Sequence, residues 1–310
     1  MKRRTLIQAA AGSALAAPAL VGFAQQSVTL KFHTFMAPMS NVWLTMHKPW
    51  MDKVEKESGG RIKFEAYPGM QLGGTPAQLY DQVKDGVVDI IWTLPGYSAG
   101  RFPKTEAFEL PFMVTTGEAT SVAFQEYYEK HLQDEFADYK VLAVHAHGPG
   151  LIHTIGSKPV QKLEDMNGLK LRGTSKVVNQ MLEAMGASPV GMPVTAVPES
   201  LSKSVIDGTV VPWEVTPAIK IAELAPNHTS FSGKNGLYTA TFLFAMNKDS
   251  YDAMPDDLKK VIDANSGAAY SQAMGKTWDA SQAAGRKLAQ ERGNTFTMIP
   301  AAELDNWVKA

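Results

Sequence analysis

Cysteine is absent from this chain of 310 residues. That absence excludes disulfide scaffolds, cysteine-bound zinc, iron–sulfur clusters and cysteine nucleophiles. An excess of charge of one sign is missing too. Thirty basic and 31 acidic residues give a formal net charge of −1, which excludes a protein built around a general basic nucleic-acid surface. Beyond the N-terminal region no run reaches the ~18 successive apolar residues of a membrane span. GxSxG, GxxxxGK[ST], HExxH and a post-strand GxGxxG are all absent, and the seven histidines are scattered. Nothing therefore nominates a nucleophile, a general base, a metal centre or a cofactor.

The composition that remains is ordinary for a globular protein, with 45% apolar and 20% charged residues. The length suggests two domains or one large one. Residues 1–24 read as an export signal. Lys2, Arg3 and Arg4 precede a mildly apolar small-residue stretch, and Gly22-Phe23-Ala24 offers a cleavage site before Gln25. Arg3-Arg4-Thr5-Leu6-Ile7-Gln8 resembles a twin-arginine signal, with a general secretory signal as the alternative. Either one sends the mature chain to the periplasm.

Alternation of apolar and polar residues predicts strands over 27–35, 61–67 and 140–147. Helical spacing is found over 41–58, 75–84 and 118–132, and a buried strand over 87–94. Strands then follow at 150–156, 169–172, 209–215 and 237–247, helices at 176–185 and 198–205, and one or two long helices within 255–292. This alternation is the signature of an α/β fold with parallel sheets. One unit recurs: Asp85-Gly86 ends a helix and leads through an apolar strand to Trp92, and Asp207-Gly208 leads likewise to Trp213. The recurrence points to two lobes of similar topology, with a glycine at each helix end to turn the chain.

Two lobes with a cleft make a common small-molecule site, and ligands in open α/β sheets lie at the carboxyl ends of strands. Arg172 ends the strand Leu169-Lys170-Leu171-Arg172. A guanidinium there can hold a carboxylate by two parallel hydrogen bonds, although a strand-end arginine is most often a surface ion-pair partner. Trp213-Glu214 ends the second repeat, where an indole can stack on a planar ligand or fill a lobe core. Trp92, Tyr97 and Arg101 occupy the matching stretch of the first repeat. His145 and His147 face the same way on a strand, but no third ligand is spaced to complete a metal site.

From about Val28 onward the chain resembles the periplasmic solute-binding proteins of TRAP transporters, the C4-dicarboxylate-binding type. The resemblance rests on several stretches in order: Gln71-Leu72-Gly73-Gly74, Asp85-Gly86-Val87-Val88-Asp89, Glu109-Leu110-Pro111-Phe112, the segment from Leu163 to Arg172, and Asp207-Gly208. It implies a two-lobed periplasmic binding protein fold with a central cleft, crossing strands and a long inter-lobe helix. Lobe I would comprise 25–149 plus about 238–277, and lobe II 150–237 plus about 278–310. It implies hinge closure on a ligand, a salt bridge from Arg172 to the ligand carboxylate, and delivery by a monomer to an ion-gradient-driven membrane permease, without catalysis. It also places Phe35, Tyr97, His147, Ile152, Val211, Trp213, Glu214 and Tyr238 around the ligand.

Three departures bear on that expectation. Sugar-acid-binding members carry a polar residue, often Asn, where this chain has Val211, and often a second arginine where it has Ile152 beside His153. Apolar walls cannot satisfy sugar hydroxyls, each unmet group costing roughly 1–3 kcal/mol. The expected ligand is therefore a monocarboxylate with a flat apolar body, of the benzoate type and stacked on Trp213. A short 2-oxo or 2-hydroxy acid is the alternative, and a secreted hydrolase the alternative of another class. The third departure is the ending at Lys309-Ala310 within a helical pattern, about twenty residues before family members usually finish, which raises the expectation of a truncated chain.

Overall fold

The computed structural model describes residues 26–157 and 159–310, so the export segment lies outside the described residues. Among the described residues eleven strands form two sheets. They are β1 (Val28–Thr34), β2 (Ile62–Tyr67), β3 (Ile90–Thr93), β4 (Tyr139–Ala146), β5 (Leu151–Thr154), β6 (Lys170–Gly173), β7 (Ser188–Gly191), β8 (Gly208–Val211), β9 (Asn227–Phe231), β10 (Thr241–Asn247) and β11 (Thr295–Ile299). The first sheet has the order β2-β1-β3-β10-β4 and the second the order β11-β9-β5-β8-β6-β7.

The two sheets share a plan. In the first, β2, β1 and β3 are mutually parallel and β10 runs antiparallel between β3 and β4. In the second, β7, β6 and β8 are parallel and β5 runs antiparallel between β8 and β9. The antiparallel member of each sheet arrives from the other half of the chain. β4 of the first sheet continues into β5 of the second, and β9 of the second is followed by β10 of the first. The crossing segments hold one another: Gly150 N–H donates to Tyr238 O at 2.9 Å, and Thr239 Oγ1 donates to His147 O at 2.7 Å. The 25-residue helix Gly267–Glu291 reaches both halves. Its Asp279 accepts the N–H groups of Gly117 and Glu118, capping the helix Gly117–Tyr127, while its Gln282 Oε1 accepts the N–H of Trp213.

Some elements differ from expectation for identifiable reasons. The strand expected over 209–215 stops at Val211, because Pro212 has no N–H for the ladder, and a helical turn Trp213–Val215 follows. The helix expected over 41–58 begins as a π turn, Trp43–His47, before the α-helix Lys48–Glu57, since Pro49 cannot donate to the preceding turn. Gly86 does cap its helix at φ +70°, but Gly208 lies inside β8 and the left-handed residue of the second repeat is Ser204 at φ +54°. β7, β9 and β11 had no sequence signal. β7 contains Pro189 and is an edge strand, β11 is the opposite edge, and β9 is largely polar.

The apolar core falls into two clusters. The larger lies under the first sheet and continues to Val194, Val211 and Val215. The smaller belongs to the second sheet and holds Ile152, Leu171, Val210, Tyr238 and Trp307.

Candidate functional site

A cavity of about 40 Å³ lies between the sheets, beside the carboxyl ends of β3, β6 and β8. Its wall is built mainly from side-chain carbon. On one side Phe35 stacks on Trp92 (5.3 Å between ring centres), Trp92 on Phe242 (4.7 Å, 9° between planes), and Phe242 on Trp278 (5.3 Å). Met36, Leu94, Val194, Val211, Pro212, Val215 and Ala240 complete the apolar lining.

Arg172 supplies the one formal charge in this wall, and it is 1% exposed. Its Nε donates to Met192 O at 2.9 Å and its Nη1 to Thr174 Oγ1 at 3.0 Å. Nη2 is buried with no partner. Among the described residues no carboxylate lies within ion-pair distance of this guanidinium. A buried cation without a counter-ion is strongly unfavourable, and a buried donor left unmade costs about 1–3 kcal/mol. Nη1 also has a long contact of 3.5 Å to Val210 O, so Nη2 is the nitrogen of the guanidinium with both N–H groups unmet.

Two tyrosines flank the guanidinium. Tyr97 accepts the N–H of Val194 through its hydroxyl oxygen at 3.1 Å, which leaves its own proton to donate. Tyr238 donates to Val210 O at 2.8 Å. Burial pushes both phenols up, against the pull of Arg172, so both remain protonated donors. His147 lines the cavity as a neutral ring. Its Nδ1–H donates to Gly148 O and its Nε2 accepts the N–H of Ala240 at 3.0 Å. Burial lowers it to about 4, so it offers a ring surface rather than a charge.

Of the nine residues expected around a ligand, the cavity gathers Phe35, Tyr97, His147, Arg172, Val211 and Tyr238. Trp213, Glu214 and Ile152 do not line it. The turn after Pro212 points the Trp213 indole to the far side of the second sheet, where it packs on His228 (4.7 Å), His153 (5.2 Å) and Phe296 (5.7 Å). Glu214 is buried against Asn41. Ile152 points into the core of the second sheet. Arg101 is held on the surface by Asp81 and the Tyr139 hydroxyl, both at 2.8 Å. The aromatic wall was the larger omission. Phe242 is on β10 and Trp278 on the long helix, far along the chain from Arg172. A partial signal existed: Met274 and Trp278, four apart, mark the buried face of that helix. Among the described residues no group of three or more His, Asp or Glu side chains is placed to hold a metal ion.

Comparison with known proteins follows the same lines. Residues 33–310 match the family described as bacterial extracellular solute-binding protein, family 7. A TRAP solute-binding protein of Rhodoferax ferrireducens, solved with copurified benzoate, is 58% identical, with a TM-score of 0.90 over 91% of this chain and 88% of that one. A marine metagenome TRAP solute-binding protein specific for aromatic acid ligands, solved with 3-hydroxybenzoate, is 51% identical, with a TM-score of 0.90 over 92% and 88% of the two chains. The outer membrane transporter protein TsaT of Comamonas testosteroni is 29% identical over 88% of this chain and 80% of its own length. The fold is that of the two-lobed TRAP binding proteins, and the chain belongs to the bacterial extracellular solute-binding proteins of family 7.

Proposed function

We propose that this protein is a periplasmic receptor for an aromatic monocarboxylate of the benzoate type, which it hands to an ion-gradient-driven membrane permease without altering it. The observation that carries this reading is the unpartnered Nη2 of Arg172 in an otherwise apolar, aromatic-walled cavity. A carboxylate placed there takes Nη2–H and the free Tyr97 proton. The ring attached to it lies against Phe35, Trp92, Phe242 and Trp278. Ring-on-ring contacts of this kind add about 0.5–1.5 kcal/mol beyond area burial. The relatives solved with benzoate and 3-hydroxybenzoate support the ligand class. The wall offers few groups to meet the hydroxyls of a sugar acid.

The lobes that close on the ligand are, in this reading, 25–149 with about 238–277, and 150–237 with about 278–310. The protein acts as a monomer and needs no cofactor.

The test is a thermal-shift screen of the mature protein against organic acids. Benzoate at about 100 times its dissociation constant stabilises by about 2.7 kcal/mol. For a chain of this size that is a rise of roughly 4–5 °C. A rise with benzoate and none with galactonate is expected. A larger shift with a short 2-oxo or 2-hydroxy acid than with benzoate overturns the aromatic assignment, and chemical change of the bound acid overturns the receptor reading.

A further inference from the structure

Glu214 lies outside the cavity, at the seam between the two halves, and is 4% exposed. It stands on the turn after β8 of the second sheet. Its Oε1 accepts from Asn41 Nδ2 at 3.1 Å, and the same amide donates to Ser281 Oγ of the long helix at 2.8 Å. Asn41 belongs to the first half, just before the π turn Trp43–His47. Three separate pieces of chain therefore close over one carboxyl. Its Oε2 has no partner.

No cation answers this carboxyl. On the long helix, Asp279 caps Gly117 and Glu118, Arg286 lies over Phe296, and Lys287 pairs with Glu291. Beyond the turn, Lys220 is exposed and Glu223 pairs with Arg292. From the first half, Lys48 pairs with Asp52. Behind the neighbouring Trp213, His153 and His228 bond to each other. Among the described residues none of these is within ion-pair distance of Glu214.

An ionised carboxylate with one hydrogen bond and so little exposure is costly, and its neutral acid is much less so. Burial accordingly raises Glu214 from the usual 4.5 to about 7, with the Asn41 bond pulling the other way.

We propose that Glu214 is a proton-binding latch of the cleft: the closed molecule holds it as the neutral acid, and opening withdraws Asn41, admits water and releases the proton. The proposal rests on the receptor reading, in which the ligand closes the cleft. The sign follows from the closed form holding the proton more tightly. Through Glu214 alone, affinity is greatest at low pH, falls as pH rises through the window from the ordinary carboxylate range to about 7, and is level above it. His147 acts in the opposite sense, since its burial on closure disfavours the proton. The slope of the wild-type protein alone therefore does not isolate Glu214.

Glu214→Gln isolates it, because the amide keeps the size and the acceptor for Asn41 but cannot ionise. Calorimetric titration with benzoate is made between about pH 5.5 and pH 8, where an aromatic carboxylate is ionised, in buffers of different ionisation enthalpy. At the acid end the wild type is expected to take up close to one proton more per benzoate than the variant, and its dissociation constant relative to the variant's to rise about tenfold up to pH 7. The variant is expected to keep only the opposing proton release of His147. A variant with the same proton uptake and the same pH slope as the wild type overturns the latch. If benzoate produces no heat in either protein, the aromatic-acid reading fails separately, and small-angle scattering of the ligand-free proteins decides. A radius of gyration that shrinks toward low pH in the wild type, and is small at every pH in the variant, supports the latch. A radius indifferent to both pH and substitution overturns it.

Discussion

Arg172 concentrates the chemistry of the cavity in one nitrogen. Nε and Nη1 donate to Met192 O and Thr174 Oγ1, which fix the guanidinium plane, and Nη2 is left with no partner in the protein. Arg172→Ala is expected to weaken benzoate binding well over tenfold, since truncating one partner of a buried charge pair costs about 2–5 kcal/mol. Unchanged affinity in titration calorimetry removes Arg172 from the site. The aromatic wall makes a second claim. Trp278→Ala is expected to weaken benzoate more than a small aliphatic acid, because only the ring stacks, whereas Trp213→Ala is expected to leave both nearly unchanged. A selective loss in the Trp213 variant instead would return the indole to the ligand. Arg172 was legible in the sequence because a strand end and a family pattern met at one residue. Trp213 was misread because direction depends on where the strand stops. Pro212 ends β8 at Val211, and the following helical turn carries the next side chain out of the alternation.

At the scale of elements, the repeat of helix, Asp-Gly, strand and Trp was a true trace of the shared sheet plan, though incomplete. β3 and β8 occupy equivalent places, each with a parallel neighbour on one side and an antiparallel one on the other. What local pattern could not show was the exchange of β5 and β10 between halves, which depends on pairings about 60 to 150 residues apart such as Ile152 with Val210 and Leu243 with Thr93. The long helix was legible from its composition, but its docking was not. It reaches the turn Trp213–Val215 through Gly285, where an added Cβ would stand 2.0 Å from Trp213 O and 2.6 Å from Thr216 Oγ1. Backbone atoms cannot give way as a side-chain end can. Gly285→Ala is expected to cost about 1–3 kcal/mol despite alanine's better helix propensity. A lower melting temperature checks this; an unchanged or higher one means that helix and turn are not packed so closely.

For the molecule as a whole, the buried histidines set an acid limit. His47, His145, His147 and His153 are all fully buried, and burial holds them far below the usual 6.5: His47 and His153 to about 3, His147 to about 4, and His145 well below as well. The unfolded chain takes up these protons near 6.5 while the folded chain refuses them. The stability they contribute is complete above that point and is lost as pH falls. Each such histidine removes about 1.4 kcal/mol per pH unit inside its window. Glu214 and Glu109 work the other way, since burial raises both and favours the folded acid form as pH falls. The lowered histidines outnumber the two raised carboxyls, so the loss prevails and stability falls as pH drops below about 6. Scanning calorimetry is expected to show a steady melting temperature from pH 8 to about 7 and a steep fall by about pH 5. His47→Leu should flatten that fall by one histidine's share, because neither ring nitrogen of His47 has a partner to lose. A melting temperature constant from pH 7 to 5, or a variant that falls as steeply as the wild type, would mean that these rings are not held neutral. The two pH responses then oppose each other in one molecule. Through Glu214 acid tightens the cleft in the proposed latch, while through the buried histidines it loosens the cores, so the proton that favours closure at the seam disfavours the fold that carries it.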